Sequence, residues 1–284
     1  MDGVNMSNTN AALTRGISGF DLKLIAVISM VIDHFAAVVI WGIIQASYRI
    51  TASMQLSTNF VDQLLVWVAA NRELVLGIYE TMRLIGRIAF PIYCYLIVEG
   101  YKHTKNVAKY ALRLGIFAII SEVPFDLALT GRWFSTSYSN VFFTLLIGLL
   151  VILGISYVEK FHKWWMERSL DTFLGKLFIL GAGAIVVFIG GYVAEVFLCT
   201  DYGLAGVVAI VIMYLLRNIP WIGFAAAVLA LTVLTSSTEI VALVGLLPLW
   251  YYNGKRGRSI KYFFYAFYPV HLLLFWLMTV LIGI

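Results

Sequence analysis

The stretch Phe20-Asp21-Leu22-Lys23-Leu24-Ile25-Ala26, running on to Val31-Ile32-Asp33-His34-Phe35, decides how this chain is read. Its apolar run continues to about Ile44, long enough at about 1.5 Å per residue to cross a hydrocarbon layer of roughly 30 Å. Yet it holds Lys23, Asp33 and His34. Lys23 and His34 are eleven positions apart, which at about 100° per residue nearly closes three turns, so both face one way roughly 16 Å apart along the axis. With Lys23 at one membrane surface, His34 lies near the midplane. A charge at that depth costs at least about 2.5–3.5 kcal/mol unless it faces protein or water. This first span is therefore the candidate active-site helix.

The rest of the composition agrees with a membrane chain. Of 284 residues, 62% are hydrophobic and 12% charged, and the mean hydropathy is +0.91. A soluble domain carries about twice that share of charge. The class is all-α: a polytopic integral membrane protein of the cell inner or plasma membrane, with the lipid bilayer as its first partner. Residues 1–19 form a polar tail without the basic-then-apolar pattern of a cleaved signal, so the first span is expected to remain as an anchor. Residues 20–284 form one membrane domain. The formal charge of +5 is dispersed among short loops, which argues against nucleic acid as a partner. Cys94 and Cys199, both in apolar surroundings, imply no disulfide framework.

Nine spans are expected. After the first, residues 45–81 contain apolar runs too short to cross, and read as an outer-surface interfacial or re-entrant segment. The second span occupies residues 84–101. The third ends in Ser121-Glu122-Val123-Pro124-Phe125-Asp126, where proline should stop or kink the helix. The fourth covers residues 141–157, followed by an amphipathic loop at 159–171. Later spans occupy residues 177–197, 203–216, 221–234, 240–252 and 262–283. Placing the N-terminus and the loops around 102–113, 159–176, 217 and 253–261 on one side collects fifteen of the twenty Lys and Arg. The positive-inside rule puts that side, and the N-terminus, in the cytoplasm.

Depth then sorts the chemistry. His271 lies ten residues beyond Lys261, so it shares the midplane with His34. Histidine suits proton transfer near neutral pH, and a neighbouring carboxylate such as Asp33 can fix its tautomer. Packing is the other role for His271, bonded to a hydroxyl such as that of Tyr268. Arg83 and Arg87, one turn apart, form an anion site or one half of an ion-pair network whose acids would be Glu122 and Asp126. Lys109 and Arg113 make a second pair at the cytoplasmic face, joined by Lys23, and can hold lipid headgroups or a phosphorylated cytosolic donor. Glu122, Asp126, Asn140 and Tyr268 should line a polar cavity with the histidines. No phosphate-binding glycine loop, CxxC, HExxH or nucleophile elbow occurs, so no metal site is expected. These residues fit a membrane transferase using His34 as base, or a transporter relaying protons.

Four blocks together resemble the TraX family, known for N-acetylating conjugative pilin. They are the 20–34 stretch; Arg83-Leu84-Ile85-Gly86-Arg87-Ile88-Ala89-Phe90-Pro91 with Glu99-Gly100; Ser121 to Asp126 with Asn140-Val141-Phe142-Phe143-Thr144; and Tyr262 to His271. The family is more distantly similar to the acyltransferase-3 membrane enzymes, whose first span carries a basic residue, ten intervening positions and a histidine. Lys23 and His34 fit that spacing. The resemblance implies an acetyl-coenzyme A-dependent membrane acyltransferase with His34 at the reacting centre; from the residues themselves we place Asp33 and His271 beside it and make Lys23, Arg83, Arg87, Lys109 and Arg113 available to the coenzyme. The acceptor would be an amine or hydroxyl on a protein N-terminus, a glycan or a small molecule. A proton-coupled transporter and a non-catalytic assembly protein are the other classes.

Overall fold

The computed structural model describes residues 16–166, 172–258 and 260–284. The tail through Arg15, and Arg168 with the end of the loop expected at 159–171, lie outside the described residues. Among the described residues the chain is helical, with only two isolated backbone bridges, Ile17 with Tyr252 and Ser139 with Thr200.

Helix α1 (Gly19–Phe35) begins at a capping box. Ser18 N–H donates to Asp21 Oδ2 at 2.7 Å and Asp21 N–H to Ser18 Oγ at 3.4 Å, satisfying two backbone donors that a helix start leaves open. One π-helical turn, Ala36–Ile40, leads into α2 (Trp41–Ser47), so the first span continues a few residues past Ile44. Short helices α3 (Ala52–Gln55) and α4 (Phe60–Ala70) follow. Val68 of α4 joins Ile44 and Val75 in a small core of its own.

The second span starts earlier than expected. Helix α5 (Arg72–Gly86) continues, after a break at residues 87–88, as α6 (Ala89–His103). Pro91 has no N–H for the carbonyl of Arg87, four residues back, which accounts for the break. Ser29 of α1 binds the carbonyls just before the break, donating to Ile85 O at 2.5 Å and approaching Gly86 O at 3.4 Å.

Pro124 does not end the third span. Helix α7 (Val107–Thr130) passes through it and stops at Gly131, whose φ of +68° is left-handed. Burial of Pro124, Phe125 and Leu127 outweighs the one hydrogen bond that proline removes. Helix α8 (Val141–Met166) absorbs the start of the expected amphipathic loop. Its extension is tied down by Glu159, which accepts from Tyr214 Oη at 2.9 Å and Arg217 Nη2 at 3.3 Å. Then come α9 (Thr172–Tyr192) with a π-helical turn, Val193–Phe197, and α10 (Gly203–Leu215). Helix α11 (Pro220–Leu234), a 3-10 segment (Ser237–Gly245), α12 (Leu246–Trp250) and α13 (Lys261–Ile282) complete the chain.

Where nine spans were expected, five helical stretches among the described residues are long and apolar enough to cross: Gly19–Ser47, Arg72–His103, Val141–Trp164, Gly175–Phe197 and Tyr262–Ile282. Gly203–Leu215, Pro220–Leu234 and Ser237–Trp250 are apolar but shorter. α7 has the length but holds Lys109, Arg113, Glu122 and Asp126. α6 packs into the core, with Phe90, Ile92, Cys94, Tyr95, Ile97 and Val98 buried against α1, α8 and α10.

α1 and α13 lie side by side and parallel. Phe20 meets Phe264, and Phe35 meets Phe275, ring to ring at 5.7 and 5.5 Å. Their starts are strapped together: Ile17 N–H donates to Tyr251 O at 2.9 Å, Asn253 N–H to Ile17 O at 3.0 Å and Gly19 N–H to Lys255 O at 2.8 Å.

Candidate active site

The parallel pairing of α1 with α13 brings two histidines into contact. His34 Nδ1 lies 2.7 Å from His271 Nε2, and His271 Nδ1 lies 2.8 Å from the carbonyl oxygen of Phe267, one turn earlier. A carbonyl only accepts, so His271 Nδ1 carries a proton. In the neutral ring His271 Nε2 is then a lone pair, which accepts from His34 Nδ1–H. The chain of bonds thus leaves His34 Nε2 unprotonated, the form a general base requires.

His271 is buried and His34 part-exposed. His271 is 4% exposed, stacked on Phe267 with 5.2 Å between centroids and met edge-on by Phe275. Tyr268 presents its edge to both histidines, at 5.8 and 5.7 Å. Two expectations are corrected here. The partner that fixes the His34 ring is His271 rather than Asp33, because neighbours in sequence diverge by about 100° around a helix. His271 bonds to His34 and a main-chain carbonyl rather than to the Tyr268 hydroxyl.

Asp33 turns instead toward α5. Arg83 Nη1 donates to Asp33 Oδ2 at 2.7 Å, and Gly86 leaves room for that carboxylate, since a Cβ there would collide with it. One turn on, Arg87 Nη1 donates to Glu239 Oε1 at 2.9 Å and also bonds Tyr202. Glu122 and Asp126, the acids expected to pair with these arginines, have other partners. Glu122 Oε2 accepts from the Asn140 side chain at 2.5 Å and its main-chain N–H at 3.3 Å. Asn140 Oδ1 in turn receives Phe142 N–H at 3.1 Å, capping α8. Asp126 Oδ2 accepts Ser135 N–H at 2.7 Å, fixing the turn after α7. Glu122 remains within charge range of Tyr268, so its carboxylate borders the site while holding the α7–α8 connection.

Glu239, Asp201 and Tyr202 belong to this cluster and were not singled out from the sequence. Asp201 lies within charge range of Asp33, Glu239, Arg83 and Arg87, and Tyr202 stacks on Phe90 at 3.6 Å. Glu239 sits behind Thr235-Ser236-Ser237-Thr238, which reads as a loop, and Asp201 sits in what reads as a plain turn. The available signal was one acid at the edge of each apolar run. Partly buried Asp201, in the turn before α10, has its carboxyl pushed up to about 6 by burial and by the neighbouring Asp33.

The cationic candidates divide between two ends of the bundle. Lys23 lies on the same side of α1 as His34, its Nζ 5.9 Å from the Phe264 ring, within charge range of Arg256. Arg113 bonds Tyr265, and its Nε is buried with no hydrogen-bond partner. Lys109 is exposed. Among the described residues no acid pairs with Lys23, Lys109 or Arg113, whereas Arg83 and Arg87 are held by Asp33 and Glu239.

Comparison with known proteins agrees with this arrangement of blocks. The family described as TraX protein matches residues 18–279, a span that includes Lys23, both histidines and the arginine–carboxylate cluster. A relative named "Probable fimbrial assembly protein FimC, serogroup H1", from Dichelobacter nodosus, is 27% identical over 282 residues, covering 90% of this chain and 93% of its own. No solved structure matches. With the family's match extending over nearly the whole chain, this protein belongs to the TraX family.

Proposed function

We propose that the protein is a membrane-embedded acetyltransferase of the cell inner membrane. It moves an acetyl group from cytosolic acetyl-coenzyme A to an amine or hydroxyl acceptor. The observation that carries this reading is the His34–His271 pair, whose hydrogen bonds leave His34 Nε2 bare on a ring packed against Tyr268. In the reaction His34 Nε2 takes the proton of the acceptor N–H or O–H as the acceptor attacks the thioester carbonyl carbon. The C–S bond then breaks and the thiolate leaves with that proton. Lys23, Arg113 and Arg256, cations without an acidic partner among the described residues, suit the coenzyme phosphates. Arg83 and Arg87 fix Asp33 and Glu239 beside the histidines rather than reaching for the donor.

The proposed topology has nine crossings, with the shorter apolar helices crossing inside the bundle and the basic end in the cytoplasm. The parallel course of α1 and α13, joined at their starts, supports an odd number of crossings. A non-catalytic role in fimbrial assembly is the second reading, favoured by the name of the relative.

Purified protein incubated with acetyl-coenzyme A and a panel of amines and alcohols, followed by mass spectrometry, decides between them. Transfer lowered at least about 100-fold by His34→Ala supports the base assignment. Full transfer by a normally inserted His34→Ala protein would falsify it, and absence of any transfer or thioester cleavage by the unaltered protein would favour the assembly role.

A further inference from the structure

At the end of the bundle opposite the basic strap, the turn between α9 and α10 opens a cavity of about 540 Å³. Its lining includes Tyr138, Glu195, Cys199, Asp201, Tyr202 and Leu234. The turn is rigidly held. Ser139 N–H donates to Cys199 O and Asp201 N–H to Ser139 O, both at 3.0 Å, and Thr200 N–H donates to Ala194 O at 2.8 Å. The Thr144 and Thr200 hydroxyls meet at 2.9 Å. Cys199 keeps a φ of +47°, a backbone region that a residue with a Cβ occupies only where its surroundings enforce it.

The charges around this cavity do not balance. Glu195 Oε2 accepts Leu204 N–H at 3.0 Å, so its charge is met by the start of α10. Arg83 and Arg87 each already hold one carboxylate, Asp33 and Glu239. That leaves three acids, with Asp201, against two guanidiniums. Among the described residues Asp201 has no hydrogen bond or ion pair to its carboxylate. Glu239, behind the lining and within charge range of Asp201, is 1% exposed, and its second oxygen has no hydrogen-bond partner among the described residues. The lining itself carries two carboxylates, Glu195 and Asp201, and no Lys or Arg.

We propose that this cavity binds a cationic group, an ammonium or guanidinium on a short chain, with Asp201 as its counter-charge and Tyr138 as an aromatic wall. Asp201 also acts on Tyr268, whose ring touches both histidines. A role for the cavity as the port by which an acceptor reaches His34 rests on the acetyl-transfer reading; the binding site itself does not.

The cavity's own thiol provides the test. Cys94 is buried at 0% exposure while Cys199 is part-exposed on the lining, so reagents of opposite charge report the local potential. Full-length protein in liposomes is treated with trimethylammonium-bearing and sulfonate-bearing methanethiosulfonates, each rate normalised to free cysteine. The cationic reagent is expected to modify Cys199 at least about tenfold faster than the anionic one, and Asp201→Asn is expected to remove most of that preference. Butylammonium is expected to protect Cys199 in the unaltered protein where butanol at equal concentration does not, a measurement that needs no variant. A ratio near one, or equal protection by both compounds, overturns the proposal. The labelling uses no acetyl-coenzyme A, so a failed transfer assay with intact charge preference removes the port role and leaves the site.

Discussion

Removing Arg87 separates a buried ion pair from an exposed one. Glu239 is 1% exposed, and Arg87 Nη1 is the donor that reaches its Oε1, at 2.9 Å. Arg87→Ala leaves a carboxylate enclosed with neither of its oxygens paired to a cation. Breaking such a pair from one side costs about 3–5 kcal/mol, most of it the penalty of the stranded charge. At roughly 2–4 °C per kcal/mol for a chain of this order of size, the melting temperature should fall by about 6–20 °C. Arg83→Ala should fall by about half as much, because the side chains of Arg83 and Asp33 are 28% and 20% exposed and the abandoned carboxylate keeps some solvation. Adding Glu239→Gln to Arg87→Ala should recover at least half of the loss, since the stranded charge is then gone. The assay is thermal unfolding of detergent-solubilised protein in a Cys199→Ser background, followed by a thiol-reactive fluorophore that reports exposure of buried Cys94. Equal losses for the two arginines, together with no recovery by Glu239→Gln, would refute the assignment of Glu239 as the buried partner.

Three further outcomes are expected. His271→Phe keeps a ring in place but removes the acceptor for His34 Nδ1–H; transfer should fall about tenfold, the worth of a hydrogen bond of ~1–1.5 kcal/mol. His34→Ala/His271→Phe should be no slower than His34→Ala alone, and additive losses would show that the two rings act separately. Cysteines placed at residues 102–106 and 254–258 should resist an impermeant thiol reagent in intact cells while one near Thr136 reacts, and the opposite pattern would invert the proposed orientation. The preference of Cys199 for the cationic reagent should depend on pH. The Asp201 carboxyl, pushed up to about 6 by burial and Asp33, is ionised above that value and neutral below it, so the preference is full at pH 8 and lost on acidification through pH 6. The Tyr138 and Tyr202 hydroxyls beside it, both pushed up by burial, stay neutral across that window, and Arg83 and Arg87 are held in ion pairs with Asp33 and Glu239. A preference that persists unchanged at pH 5 would assign it to another group.

The chain's local chemistry reports its class and much of its site. Period and hydropathy are properties of neighbouring residues, so the apolar helices and the shared face of Lys23 and His34 can be read from spacing alone. That shared face is toward α13, where Phe264 and His271 meet the two side chains. The capping box at Ser18 and Asp21 and the break before Pro91, which the structure adds, rest on residues a few positions apart. Pro124 misleads because the cost of one missing hydrogen bond is local, whereas the burial that carries α7 past it comes from other helices.

Pairing is what spacing leaves undetermined. Arg83 and Arg87 announce a need for anions, but several acids lie at comparable depth, and only the packing of α1, α5 and the 237–245 segment selects Asp33 and Glu239 over Glu122 and Asp126. The two histidines are 237 positions apart, and Arg87 and Glu239 are 152. The sequence by itself determined an all-helical membrane chain with a histidine-bearing first span. The tertiary structure alone decided which ring nitrogen is bare, which carboxylates hold the arginines and where one negative charge is left over. The physical reason is that desolvated groups are matched by proximity in space, and proximity across the bundle is set by the packing of helices that no local period encodes.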